Sequence, residues 1–119
     1  MGREIRTDLG IIEIGRDVIA NLAGIATTEC FGVVGVVSSR VFSDGISELL
    51  GRESLSKGVD IIVRDNELYI RVHVVVGYGN RISTIAQNII DNVKYIVEKH
   101  TGLTVHHVEV NVQGVRMID

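Results

Sequence analysis

The chain has 119 residues, 45 % of them hydrophobic, and its 12 Lys and Arg against 15 Asp and Glu leave a net charge of −3. One domain is the economical expectation, since a chain of this size buries about two-thirds of its unfolded surface without metal or disulfide support. Intrinsic disorder is excluded. The negative balance, with 4 % aromatic residues and no tryptophan, disfavours nucleic acid, which needs positive charge and stacking platforms.

Cys30 is the single cysteine, so no intrachain disulfide forms and a reduced compartment fits. The opening MGREIRTDLG lacks the apolar core of a signal peptide, and Arg6 stands where a myristoylation site wants Ser or Thr. No apolar run approaches the ~20 residues of a membrane span. Direct membrane insertion is therefore not expected.

Residues 1–8 are charged and aperiodic and read as a flexible tail ahead of a single domain at 9–119. Residues 9–14 (LGIIEI) alternate weakly, as a short strand does. A helix over 16–29 follows, with Asp17 in its first turn, where a carboxylate suits the macrodipole. Val18, Ile19, Leu22, Ile25 and Ala26 recur at helical spacing and should face a sheet. Ala20, Gly24 and Thr28 form a second stripe, which fits tight packing within the domain better than close approach by another subunit. Residues 31–37 (FGVVGVV) read as a strand. Residues 38–57 turn to serine, glycine and charge, with Ile46, Leu49 and Leu50 as an apolar cluster. Ser43 or Asp44 would cap a two-turn helix stopping at Gly51.

The segment 58–82, GVDIIVRDNELYIRVHVVVGYGNRI, reads as a β-hairpin feeding the longest helix. Asp65 and Asn66 tolerate positive φ, so a two-residue primed turn is expected. That turn pairs Arg64 with Glu67, Val63 with Leu68, Ile62 with Tyr69, Ile61 with Ile70, Asp60 with Arg71 and Val59 with Val72. Alternation gathers Val59, Ile61, Val63, Leu68, Ile70 and Val72 on one face. A one-residue slip would turn that whole set toward water.

Ile82, Ile85, Ala86, Ile89, Ile90, Val93, Ile96 and Val97 give the helix over 82–100 a wide apolar stripe, and Gly102 stops it. The last strand, 103–112, changes phase: Leu103 and Val105 share one parity, Val108, Val110 and Val112 the other. A β-bulge near His106 and His107 would reconcile them, and a break in the strand is the alternative. The expected fold is α+β, a mixed or antiparallel sheet with a central hairpin and two main helices packed on one face. Its order is β-α-β-(short α)-β-β-α-β.

Chemistry-bearing patterns are sparse. The four histidines include no HxH or HxxxH spacing, and His106 and His107 should point to opposite faces, so no metal is expected. Cys30 has no sequence-evident activating partner and reads as a small buried thiol at a helix end. Gly77-x-Gly79 lacks the third glycine of a dinucleotide fingerprint and any Walker lysine. Gly32-Val33-Val34-Gly35 has the spacing of an RNA-binding GxxG loop, but its middle is apolar and it enters a strand. No catalytic residues and no cofactor are expected.

The stretch GISELLGRESLSKGVDIIV at residues 45–63 closely resembles the G-x-x-x-LLGR-x-x-LSKGV signature of the alkaline shock protein family. These are small general-stress and envelope-stress proteins, mostly of Gram-positive bacteria. The likeness extends through Gly10, Ile12 and Ile14, then Ala23-Gly24, Glu29 and Gly32-Val33. It resumes at Tyr78-Gly79 and Arg81-Ile82 and closes with Thr101-Gly102-Leu103 and VEVNVQGV at 108–115. Gly15 stands where the family often has a capping serine, and Ser83 where it often has proline.

The resemblance implies a non-enzymatic cytoplasmic protein that self-associates and supports the cell envelope under stress, in some members at the inner membrane face through a membrane-anchored partner. The expected contact surface combines the outer hairpin face (Ile62, Tyr69, Arg71, His73, Val75) with Leu49, Leu50, Arg52 and Lys57. Two other readings stand beside it. One is a regulatory domain binding a small ligand near 77–81 or modulating a metabolic enzyme. The other is an RNA-binding module using Arg40, Arg52, Lys57 and Arg81.

Overall fold

The structure, a computed structural model, describes residues 3–38 and 49–117. The expected helix capped by Ser43 or Asp44, with its Ile46, lies outside the described residues, as does Arg40.

The turn at Asp65 and Asn66 has φ of 48° and 68°, the left-handed pair that a two-residue primed hairpin requires. It joins β4 (Val59–Arg64) to β5 (Glu67–Gly77). All six expected cross-strand pairs form, from Arg64 with Glu67 to Val59 with Val72. β5 is long enough to take further partners. β4 occupies one edge of β5 as far as Val72, and β3 (Val33–Val36) continues along the same edge at Val74 to Val76. The other edge carries β6 (Val105–Arg116), running parallel to β5. A parallel neighbour needs a crossover, and α2 (Ile82–Thr101) supplies it. Gly102, at φ of 76°, ends α2 in the left-handed conformation glycine adopts without strain.

The phase change in β6 is a bulge. Leu68 pairs with Val105 but Tyr69 pairs with His107, so His106 is the extra residue. A second irregularity skips Gln113, between the Val74–Val112 and Val75–Gly114 pairs.

The core lies between the sheet and the helices. Leu68, Ile70, Val72, Val74 and Val76 of β5 meet Ile85, Ile89, Val93 and Val97 of α2 there, with Ile19, Ala20, Ala23 and Ala26 of α1 (Arg16–Thr28). Each fully buried Ile or Val contributes about 1.5–3 kcal/mol. Asn92 of α2 donates to the Ala26 carbonyl at 2.8 Å, satisfying one of the acceptors a helix C-terminus leaves open. Helix α1 begins at Arg16 without a side-chain cap from Gly15.

Helix α1 is rotated from the sequence expectation. Ile19, Ala20, Ala23, Gly24, Ala26 and Thr27 are buried, whereas Val18 and Ile25 are exposed. The reason is the 3-10 helix Arg52–Gly58. A Cβ on Gly24 would stand 2.8 Å from Leu55 Cβ, so the small-residue stripe admits Leu55 and turns the bulkier residues outward. The short helix itself follows Gly51, where the sequence suggested a stop. The Glu98 carboxylate accepts from the Val105 amide at 2.9 Å and from Lys94 at 3.0 Å, pinning α2 to the first residue of β6.

The segment expected to be an aperiodic tail forms β1 (Arg3–Thr7), paired with β2 (Gly10–Ile14) in a separate two-stranded sheet. Thr7 organises the turn: its hydroxyl accepts from the amides of Leu9 and Gly10 at 3.3 and 3.1 Å. Ile5 and Ile14 pack against the core, while Leu9, Ile11 and Ile12 stay exposed.

Candidate functional site

The outer face of the sheet, away from the helices, carries the chain's concentrated polar chemistry. It is organised by β5. Tyr69 and Arg71 alternate with the buried Leu68, Ile70 and Val72 and therefore project from the other side. The Tyr69 hydroxyl donates to Glu67 at 2.8 Å, and that carboxylate, with some desolvation, raises the tyrosine pKa above its ordinary value. Because His106 is bulged, both adjacent histidines reach the same tyrosine: ring centroids lie 5.1 Å from His106 and 6.3 Å from His107. His106 Nδ1 stands 3.5 Å from the Glu67 carboxylate.

Arg71 forms the next row. Its Nε is 2.8 Å from Glu109 on β6, and its Nη1 is 4.0 Å from Asp60 on β4. The first contact is a close ion pair that is not aligned as a hydrogen bond. The cross-strand pairing of Arg71 with Asp60 is thus real in register, but the closer carboxylate comes from β6.

Two expected surface residues are not at the surface. His73 is 4 % exposed, held between Asp60 at 3.0 Å from Nε2 and Gln113 at 3.3 Å from Nδ1. With Gln113 donating to Nδ1, the ring proton resides on Nε2 and points at the carboxylate. Val75 is 3 % exposed. Its partner across the ladder is Gly35, and a Cβ on Gly35 would stand 3.0 Å from Leu49 Cδ2, so the Leu49 side chain covers this end of the face. Leu50 is half-buried and its amide donates to Val36 at 2.8 Å, while Arg52 and Lys57 are exposed on the 3-10 helix. The accessible surface therefore keeps Ile62, Tyr69, Arg71, Leu49, Arg52 and Lys57, and gains His106, His107 and Glu109. Only the bulge brings the histidine pair to the tyrosine, and the phase change in the sequence is the signal for it.

A shallow depression of about 140 Å³ lies among Ile62, Arg64, Tyr69, Arg71, His107 and Glu109. A second, of about 270 Å³, separates β6 from Gln87, Ile90 and Lys94 of α2. Both fall below the ~300–1,000 Å³ of a typical ligand pocket. Among the described residues no three His, Cys, Asp or Glu side chains gather as a metal site, and no helix is long and apolar enough to cross a membrane. Cys30 is half-buried at the end of α1. Desolvation there raises its thiol pKa above the ordinary value, the opposite of nucleophile activation.

Residues 4–117 match the ASP23 family, described by a cell envelope-related function. The chain belongs to the alkaline shock protein family. The uncharacterized protein YloU of Bacillus subtilis (strain 168) is 40 % identical over 117 residues, covering 98 % of each chain. The uncharacterized protein Spy1614 of Streptococcus pyogenes serotype M6 is 38 % identical over 115 residues, covering 97 % of this chain and 95 % of that one. A second Bacillus subtilis protein, YqhY, is 30 % identical over 92 % of this chain and 80 % of its own. Within this alkaline shock protein the signature block has a clear structural use. Its LLGR and LSKG segments span the bridge from Leu49 to Val37 and the 3-10 helix. The block ends at Gly58, where a Cβ would strike Val36 and the Val37 carbonyl.

Proposed function

We propose that this alkaline shock protein is a non-enzymatic, self-associating scaffold or adaptor in cell-envelope homeostasis and stress response. It works at the inner face of the membrane through a membrane-anchored partner. The observation that carries this reading is the form of the site. Aromatic, imidazole and paired-charge groups are spread over an open sheet face whose depression among the described residues is shallow, which suits a protein partner better than a small substrate. Tyr69 and Arg71, residue types enriched at interface hot spots, stand at its centre. The family's cell envelope-related description supplies the setting.

Two measurements test the two halves. Light scattering behind size exclusion, over a wide concentration range, should find species larger than the monomer. A strict monomer throughout would end the self-association half. Affinity capture from solubilised membranes should recover a partner with the native protein and lose it with Tyr69→Ser or Arg71→Glu. Equal recovery by both variants would remove this face as the docking surface.

A further inference from the structure

The main sheet has two long outer edges, and they are built differently. That of β6 is interrupted by the irregularities at His106 and Gln113, features that blunt edge-to-edge pairing. β4 has no such protection. Its register against β5 runs unbroken from Val59 to Arg64, and its sequence, VDIIVR, holds no proline, glycine or lysine. Among the described residues β4 pairs with β5 alone. An unprotected edge is a template for a further strand.

The hairpin turn decides which backbone groups that edge presents. A two-residue turn closes on a hydrogen-bonded pair, here Arg64 with Glu67, and bonded pairs alternate along an antiparallel ladder. Arg64, Ile62 and Asp60 therefore direct their amides and carbonyls toward β5, whereas Val63, Ile61 and Val59 direct theirs outward. The Val59 amide is taken by the Ser56 carbonyl. Ile61 and Val63 are left as the residues that can bond a neighbouring strand through both groups.

Side chains add a second constraint. Asp60 and Arg64 are the only charges on β4, and they share the outer face with Ile62, which lies midway between them. An antiparallel copy centred on Ile62 sets each Asp60 against the other copy's Arg64. It also sets Ile61 opposite Val63, so the outward backbone groups meet. Centring the pair on Ile61 or Val63 instead places Ile62 against a charge.

We infer that β4 of one copy pairs antiparallel with β4 of a second copy, across a two-fold axis at Ile62. This inference rests on the self-association proposed above and names one surface for it. The contact is isologous and closes on two copies. Asp60 keeps His73, 3.0 Å away, and Arg71, 4.0 Å away, because a carboxylate has acceptor sites for a further donor. Of the flanking charges, Lys57 precedes the strand and Asp65 follows it, so opposite signs again approach across the axis. The strand is short, so the contact is weak and depends on concentration.

Cross-linking of the full chain reads the register. With Cys30→Ser removing the native thiol, Ile62→Cys places two thiols at the axis. They form a non-hydrogen-bonded pair with Cα atoms about 4.5 Å apart, within disulfide reach. Arg64→Cys instead holds its thiols roughly 13 Å apart, by the rise of a strand. Under diamide, Ile62→Cys should link on the order of tenfold faster than Arg64→Cys. Adding Arg64→Glu to Ile62→Cys should slow the link about tenfold, since both ion pairs turn repulsive. Far-UV circular dichroism checks folding. If Cys30→Ser unfolds, Cys30 is kept and peptide mass spectrometry identifies which cysteines are joined. Equal linking of the two cysteine variants, or no slowing by Arg64→Glu, would overturn the edge contact while light scattering still showed self-association. A wild type monomeric at every concentration would remove self-association, and this contact with it.

Discussion

Gly58 and His73 show how single side chains hold this sheet together. Gly58 has an ordinary backbone, but the space of a Cβ is filled by Val36 and by the Val37 carbonyl oxygen, and backbone yields less easily than a side-chain tip. Gly58→Ala should therefore cost about 1–3 kcal/mol in urea denaturation. His73 ties three strands, meeting Asp60 on β4 and Gln113 on β6 from its place on β5. His73→Ala leaves partly buried polar partners unsatisfied and opens a gap. It should cost about 2 kcal/mol by the same measurement.

At the scale of elements, two junctions set the frame. The β4–β5 turn holds both Asp65 and Asn66 at positive φ, a conformation asparagine tolerates and glycine adopts freely. Asn66→Gly should raise stability by about 0.5 kcal/mol, seen as a higher urea midpoint with unchanged slope. The second junction is Glu98. Its hydrogen bond from Val105, then that from Lys94, lower its pKa below the ordinary 4.5. A carboxyl with a depressed folded-state pKa contributes stability that is present above its unfolded value and lost as pH falls through the folded one. Glu98→Gln should accordingly be less stable than wild type near neutrality by about 1 kcal/mol. The gap should close on the acid side of the ordinary carboxylate value, in paired urea titrations across that range.

For the whole molecule, protection should follow topology. β5 is hydrogen-bonded along both edges and sits over the core, so its amides should exchange only by global unfolding. Among the described residues the β1–β2 arm pairs only with itself, and it should open locally. In native-state hydrogen exchange, β1 and β2 amides should exchange orders of magnitude sooner than those of Val72 and Val74. Equal protection of arm and β5 at low protein concentration would contradict this separation.

Much of the architecture was legible in the chain because it is encoded over short distances. The primed turn, the six hairpin pairs, the glycine stop after α2 and the phase change near His106 follow from alternation and turn chemistry within a few residues; that the phase change is a bulge and not a strand break only the paired strands show. The LLGR and LSKG block was equally legible as a family signature. What the tertiary structure decided is which neighbour covers each surface. Helical spacing placed the bulky Val18 and Ile25 inward, but Leu55, arriving from far along the chain, chose the small stripe through Gly24. Alternation placed His73 and Val75 outward, and Gln113 and Leu49 then closed over that end of the face. The charged stretch before Gly10 became a strand because β2 pairs with it, a partner whose geometry its own composition does not reveal. Period and turn residues say what a segment is and which side it must hide. Burial is a property of pairs of segments, so it is settled only when the chain has folded.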